Sequence, residues 1–167
     1  RFQTSVQYDL AMHADLATAF STYNFGSNIS ITGQVENNGK GTFIGELRVA
    51  LYNANDQFIA WSNESYSLTL TGGNYAAAKT FTFTGGIPFI TGKYTAYLFY
   101  KETGASSWRA VRSDVGIFLT EYNNVSFNVT YKTNSLRTNS AFTVSEGKFV
   151  VGNAAHINVD ILNAGSS

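Results

Sequence analysis

The sequence predicts an all-β protein: an immunoglobulin-like antiparallel β-sandwich, with a partial second sandwich module at the C-terminus. Apolar residues recur at every second position along most of the chain, which is the spacing of a half-buried strand rather than of a helix. Clusters of Gly, Asn and Ser interrupt these segments at short intervals, as turns do in a sandwich. Hydrophobic residues make up 44% of the 167 residues, which is enough to form a buried core.

The predicted strands follow one another from the N-terminus with alternating apolar and polar positions. In the clearest of them, Leu47 and Leu51 share one face while Glu46 and Arg48 lie on the other. In order, the predicted strands lie at 6–12, 29–35, 43–51, 58–61, 66–70, 81–83, 94–100, 108–111, 117–119 and 125–131.

The residues between the strands are typical of tight turns. Asn38-Gly39 is the strongest turn signal, because both central residues of a type I′ hairpin have positive φ, which Asn and Gly tolerate. Pro88 falls between strands, where its missing N–H does no harm. The only stretch compatible with a helix, 15–20, is too short to form a layer.

Charge and composition argue against several kinds of partner and site. Because 11 Lys and Arg balance 11 Asp and Glu, the chain presents no basic field, and we expect no nucleic acid partner. The absence of Cys excludes disulfides and thiolate zinc sites. No apolar run approaches the roughly 18 residues of a membrane span, so we expect no membrane insertion.

A short internal repeat divides the chain. Residues 152–167 align with residues 26–41 at an offset of 126, and the matches fall on an alternating strand and the turn that follows it. We therefore predict one complete sandwich at 1–131 and the opening strands of a second, truncated module at 132–167. The matched pairs are Gly26 with Gly152, Ile31 with Ile157, Val35 with Ile161, Asn37 with Asn163 and Gly39 with Gly165.

The predicted tail at 132–167 needs a partner, because two or three strands do not bury a face by themselves. We expect it to dock on the first domain, to pair with another chain, or to continue in a longer protein. Open strand edges also make a homodimer through strand pairing of the tail an expectation.

Several segments together resemble a known module; they are 33–39 (GQVENNG), 43–52 (FIGELRVALY), 92–94 (GKY), 99–101 (FYK) and 104–112 (GASSWRAVR). They are similar to the C-terminal immunoglobulin-like, adhesion-type module of secreted streptopain-type cysteine proteases and related surface proteins of anaerobic Gram-negative bacteria. The resemblance implies a non-catalytic, extracytoplasmic β-sandwich that often occurs in tandem. It carries over no catalytic residue, since the protease domain and its cysteine are not in this chain.

One group of residues has the composition of a metal site. His13, Asp9 and Asp15 lie on a predicted strand, which spreads residues 9 to 15 over about 20 Å at roughly 3.3 Å per residue. That span is too long for one coordination sphere, so we expect a solvated strand face. His156 is expected at the surface.

The sequence offers few other candidate metal-binding or catalytic residues. Asp56, with Asn53 and Asn55, forms an oxygen-rich loop suited to Ca²⁺, but it lacks the acidic ligands of an EF-hand, and we expect a hairpin turn. The chain has no Gly-x-Ser-x-Gly nucleophile motif. The sequence therefore predicts no enzyme, no cofactor and no metal.

Aromatic residues are the best candidates for a binding surface in this sequence. Trp61, Trp108, Tyr52, Tyr97 and Tyr100 fall at strand ends or on faces that alternate with the core, and we take them as candidate ligand or interface contacts. Three roles are open to them: packing at the core or rim, stacking on sugar rings, and contact with a protein partner.

These observations lead to a functional hypothesis. The chain is expected to be a non-catalytic, extracytoplasmic module of a larger secreted or cell-surface protein, acting as spacer, stabiliser or protein-binding and adhesion unit. A protein partner is favoured over a glycan. The alternative is a carbohydrate-binding module that uses exposed Trp and Tyr.

Overall fold

The chain divides into two compact units, Arg1–Thr130 and Tyr131–Ser167, which are described separately. The computed structural model describes residues 8–84, 91–113 and 122–130 of the first unit, and only short strands of the second. All regular elements in these residues are β-strands, which confirms the all-β prediction. In chain order, the first unit contains β1 (Leu10–Thr18), β2 (Thr22–Asn24), β3 (Ile29–Asn37), β4 (Phe43–Asn53), β5 (Phe58–Trp61), β6 (Tyr66–Leu70), β7 (Asn74–Tyr75), β8 (Lys79–Phe83), β9 (Gly92–Glu102), β10 (Arg109–Ala110) and β11 (Asn124–Thr130).

These strands form two sheets that enclose one core. In the first sheet β1 pairs with β3, and both β7 and β8 pair with β3. The second sheet has the order β2-β11-β9-β4-β5, with β6 also paired to β4 and β10 to β9. The pairing of β2 with β11 is parallel, and β11, β9, β4 and β5 are antiparallel neighbours. The chain passes from one sheet to the other between β3 and β4, as in immunoglobulin-like sandwiches.

The core lies between the sheets and follows the alternation of the sequence. Along β3, Ile29, Ile31 and Val35 are buried, while Ser30 and Gln34 are partly exposed. Each such apolar side chain stabilises the fold by about 1.5–3 kcal/mol relative to an exposed one. The largest fully buried side chains include Tyr94, Phe43, Phe81, Phe83, Phe127, Leu51 and Leu98.

Most predicted strands are present, with some changes at their ends. The first begins at Leu10 and takes in residues 15–18 of the stretch that is compatible with a helix, because β1 extends to Thr18. The predicted strand at 108–111 is reduced to Arg109–Ala110. Pro88 and the predicted strand at 117–119 lie outside the described residues. None of the described residues belongs to a helix with the length and hydropathy of a membrane span.

The type I′ hairpin predicted at Asn38-Gly39 is wrong. Because β3 and β4 belong to different sheets, this turn is a crossover and not a hairpin. Positive φ occurs at neither residue. Gly39 is instead required by a close approach, since a Cβ there would lie 2.6 Å from the Cα of Tyr8.

Asn37 holds this crossover in place. Its side chain is fully buried, and its Oδ1 accepts hydrogen bonds from the amides of Asp9 at 2.9 Å and Gly39 at 3.0 Å. Its Nδ2 donates to the carbonyls of Gly41 at 2.8 Å and Leu70 at 2.9 Å. One buried amide therefore ties the segment before β1, the crossover and the end of β6 together.

A second polar contact links the two sheets. Glu64, in the loop between β5 and β6, accepts hydrogen bonds from the amide of Thr82 in β8 at 2.7 Å and from the Thr82 hydroxyl. Burial alone would raise the pKa of the Glu64 carboxyl, but these two hydrogen bonds and one from its own amide lower it below its usual value. The carboxylate is thus ionised at neutral pH.

The described residues of the second unit form two short antiparallel strand pairs. They are β12 (Leu136–Thr138) with β15 (Ile161–Asn163), and β13 (Thr143–Val144) with β14 (Ile157–Asn158).

Candidate functional site

The outward side of the second sheet carries a group of aromatic side chains that we call the aromatic face. The alternation that buries Leu51 and Leu98 in the core turns their neighbours Tyr52 and Phe99 to the opposite side of β4 and β9. Other rings come from β5 and from the segments beside β10 and β11. The aromatic face consists of Tyr52, Phe58, Trp61, Tyr97, Phe99, Trp108 and Tyr122.

Trp61 is the centre of one end of this face. Its ring centroid lies 5.5 Å from that of Phe58, 5.4 Å from Phe99 and 5.3 Å from Trp108. These are edge-to-face or tilted arrangements, which aromatic rings prefer. Ala50 pairs with Trp61 across the strands and has no exposed surface, although it alternates with the core residues of β4. Its small side chain lets the rings close over the strand.

Two cations lie over the tryptophan rings. The Cζ of Arg48 is 5.7 Å from the centroid of Trp61, and the Nζ of Lys101 is 5.0 Å from that of Trp108. Arg48 also donates from Nε and Nη2 to the carbonyl of Ser62, at 3.0 and 2.8 Å, which fixes its guanidinium. The protein's own cations therefore occupy part of the indole surface that a sugar ring would need.

The other end of the face is open and rich in tyrosine. Tyr52 and Tyr97 stand nearly perpendicular, with an interplanar angle of 88° and centroids 5.6 Å apart. Asp56, which is exposed and has a φ of 56°, lies at the tip of the neighbouring hairpin. An open depression of about 370 Å³ is lined here by Tyr52, Asp56, Tyr97, Phe99, Ala110 and Tyr122.

Four of the five predicted contact residues lie together on the aromatic face, and one does not. Tyr100 is on the core side of β9, because it alternates with Phe99. Its ring packs edge-on against Phe43 at 5.7 Å and Tyr8 at 6.2 Å. The four that the structure brings together, all partly exposed, are Tyr52, Trp61, Tyr97 and Trp108.

The sequence prediction missed three rings and two cations of this surface. Phe99 and Lys101 follow Tyr97 at alternate positions in β9, so periodicity alone could have included them. Arg48 alternates with Tyr52 in β4 in the same way. Phe58 and Tyr122 depend on how β4 pairs with β5 and on a single bridge between Arg112 and Tyr122, which the sequence does not reveal. The missed residues are Phe58, Phe99, Tyr122, Arg48 and Lys101.

The solvated position predicted for His13 is confirmed. The ring is exposed and stacks on Tyr75 with centroids 4.2 Å apart, and its Nδ1 lies 2.7 Å from the Oε2 of Glu36. Asp9 pairs with Arg112 instead. Within the residues that the structure describes, no three His, Cys, Asp or Glu side chains are grouped so as to hold a metal ion.

The hairpin turn predicted around Asp56 is confirmed as the link between β4 and β5. The Oδ1 of Asn53 accepts hydrogen bonds from the amides of Asn55 at 2.9 Å and Gln57 at 3.0 Å. This oxygen, one of the candidate Ca²⁺ ligands, is therefore used by the turn itself. The side chain of His156 lies outside the described residues.

One tyrosine outside the aromatic face has a shifted pKa. The hydroxyl of Tyr8 donates to the Oε2 of Glu102 at 3.0 Å. Burial, followed by this hydrogen bond and the negative charge of Glu102, raises the pKa of Tyr8 to about 12. Tyr8 is thus neutral at physiological pH and serves as a hydrogen-bond donor at the rim of the core.

Comparison with protein-family models and with curated proteins gives no match. Among solved structures, a Paenibacillus cycloisomaltooligosaccharide glucanotransferase is similar over 74% of this chain and 14% of its own, at 18% identity and a TM-score of 0.48. A β-glucosidase from Erythrobacter marinus is similar over 74% of this chain and 16% of its own chain, at 5% sequence identity and a TM-score of 0.48. The CARDB domain of a Pyrococcus furiosus protein is similar over 78% of this chain and 94% of its own chain, at 17% sequence identity and a TM-score of 0.44. At these values the likeness says nothing about ligand or activity.

Proposed function

We propose that the chain is a non-catalytic, extracytoplasmic β-sandwich module of a larger secreted or surface protein, and that it acts as a protein-binding or adhesion unit. The aromatic face is the observation that carries this proposal. The solvent side of an antiparallel sheet is usually polar, but here it carries a continuous run of contacting rings. Contiguous apolar surface of this kind marks interaction sites, and Tyr and Trp are enriched at protein interfaces.

Carbohydrate binding is the second candidate function. The open depression favours it, because tyrosine rings offer both a stacking surface and a hydroxyl group. The tryptophan end favours a protein partner, since Arg48 and Lys101 lie over the indoles that would otherwise stack on sugars. We therefore rank protein binding first.

A peptide-display selection run beside a glycan array tests the choice. We expect peptides to be enriched on the wild-type chain and to lose binding to a Tyr97→Thr variant. Tyr75→Thr is the matched control, because Tyr75 is 61% exposed but belongs to the first sheet. Failure to enrich any peptide, together with glycans that bind the wild type but not Tyr97→Thr, would reverse the ranking.

We also propose that the second unit is the beginning of a second module of the same kind. The residue pairs between its strands support this. Adding 126 to the residue numbers of pairs between β1 and β3 gives these pairs, and 126 is also the offset that relates Gly26 to Gly152. Leu10↔Asn37 corresponds to Leu136↔Asn163, Met12↔Val35 to Thr138↔Ile161, and Thr18↔Ile31 to Val144↔Ile157.

The structure of the first unit explains why the same residue types would recur in the turn of the second. Asn37 and Gly39 recur as Asn163 and Gly165, and in the first unit they are the buried amide and the close-approach glycine of the crossover. Cross-strand nuclear Overhauser effects are the test. We expect them between the three pairs of the second unit, and a different register would overturn the proposal of a repeated module.

A further inference from the structure

We propose that the tyrosine end of the aromatic face receives an arginine side chain presented by the partner protein. This inference rests on the proposed function and names the chemistry that the partner must offer. The site is the open depression of about 370 Å³, which has room for one long side chain.

The lining of this depression is complementary to a planar cation. Four of its described lining residues are aromatic, namely three tyrosines and Phe99, and the rings of Tyr52 and Tyr97 meet edge-to-face at 88°. Aromatic rings carry negative partial charge on their faces, which attracts cations. Among the described residues of the lining, Asp56 is the only charged one, and none is Lys, Arg or His. Arginine matches this combination better than lysine, because its guanidinium stacks on rings and pairs with a carboxylate through two hydrogen bonds.

The opposite end of the same surface shows this type of contact already made. There, Arg48 lies over Trp61 and Lys101 over Trp108, each with a carbonyl or carboxylate partner as well: Arg48 donates to Ser62, and Lys101 lies 3.8 Å from Glu46. Among the described residues, the tyrosine end has the rings and a carboxylate but no cation of the chain itself. An arginine from outside would complete it in the same way.

The probes are N-acetyl-arginine amide and its citrulline analogue, which has nearly the same shape but no charge. Both are titrated into the full chain labelled at Tyr and Phe, and aromatic ¹H–¹³C spectra are recorded. We expect saturable shifts at Tyr52, Tyr97 and Tyr122 with the arginine probe and at least about fivefold weaker binding of the citrulline probe. Added salt should weaken the arginine complex.

Three variants locate the site. Asp56→Asn keeps a residue that tolerates the φ of 56° and should weaken arginine binding by about threefold, as expected for an exposed ion pair. Tyr97→Thr should weaken it by about fivefold through loss of one aromatic ring of the lining. Tyr75→Thr, on the other sheet, should leave it unchanged.

Several outcomes would overturn the inference. These are equal binding of the citrulline probe, shifts confined to rings outside the depression, and tighter binding of choline, which would indicate a free quaternary ammonium ligand. Its failure is distinguishable from failure of the proposed function. Selected peptides that bind the aromatic face without any arginine would overturn only this inference. Arginine binding without any selected peptide would overturn the protein-binding role and a protein as the source of the arginine, but not the preference of the depression for a guanidinium.

Discussion

The indole rings of Trp61 and Trp108 are in contact, with centroids 5.3 Å apart and planes inclined at 38°. Trp61 ends β5 and Trp108 precedes β10, and these strands lie on opposite sides of β4 and β9 in the second sheet. The contact therefore spans the two central strands. It gives one end of the aromatic face a fixed arrangement, which would lower the entropic cost of the proposed binding.

The two tryptophans should contribute unequally to stability. Trp61→Ala removes contacts with two further rings and Arg48, and should cost about 2 kcal/mol, whereas Trp108→Ala should cost about 1 kcal/mol. The double variant should show a coupling of about 0.5–1.5 kcal/mol. Urea unfolding followed by circular dichroism measures all three values. A coupling of zero would mean that the ring contact has no energetic role.

Asn37 should be among the most sensitive polar positions. Asn37→Ala leaves buried donors and acceptors without partners and should destabilise the fold by about 2–4 kcal/mol. Asn38→Ala is the control, because its exposed side chain donates only to Glu36, and it should cost less than about 0.5 kcal/mol. Denaturant midpoints of the two variants compare them directly. Similar costs would contradict the role assigned to the buried amide.

A substitution by asparagine separates the two possible reasons for Gly39. If positive φ were required, Asn would be tolerated, but the 2.6 Å approach to Tyr8 predicts that Gly39→Asn costs about 1–3 kcal/mol, as Gly39→Ala does. Gly26→Asn is the reference, since Gly26 has a φ of 83° and a Cβ at that position would meet nothing within 4 Å. It should cost less than about 1 kcal/mol. Thermal unfolding distinguishes these cases, and equal tolerance at both positions would contradict the close approach as the reason for Gly39.

Glu64 should make stability depend on pH in the acid range. Its folded-state pKa is lowered from 4.5, so the unfolded state binds protons more readily as pH falls. The stabilisation is therefore fully present above pH 4.5 and is lost as pH falls through the folded-state pKa. Glu64→Gln should be less stable than wild type at pH 7, and the difference should shrink below pH 4.5.

Unfolding free energies of wild type and Glu64→Gln across this range provide the test. Thr82→Val removes the hydroxyl donor but keeps the amide donor, so it should reduce the pH dependence without abolishing it. A constant difference between wild type and Glu64→Gln at all pH values would contradict the assigned role.

Core positions were predictable from sequence because alternation is a local property. The periodicity at Ile29 and Ile31, or at Leu47 and Leu51, fixes which side of a strand is apolar without knowledge of its neighbours. The Asn38-Gly39 crossover was not predictable, because an Asn-Gly pair reports local turn tendency and not which sheet the next strand joins.

The aromatic face was predictable only in part, for the same reason. Its rings are visible in the sequence as alternate residues, but their assembly depends on strand order and register. Ala50 stands between Trp61 on one neighbouring strand and Tyr97 on the other. Tyr100 is close to the others in sequence, although its side of the strand separates it from them.

The central claim is that the aromatic face binds a protein partner, and the affinity of a selected peptide for matched variants tests it most directly. Isothermal titration calorimetry of wild type, Tyr97→Thr and Tyr75→Thr with the same peptide would supply the three dissociation constants. We predict at least about a tenfold loss for Tyr97→Thr, as for a residue at the centre of an interface, and no change for Tyr75→Thr. Undiminished affinity of Tyr97→Thr, or a loss confined to Tyr75→Thr, would contradict the claim.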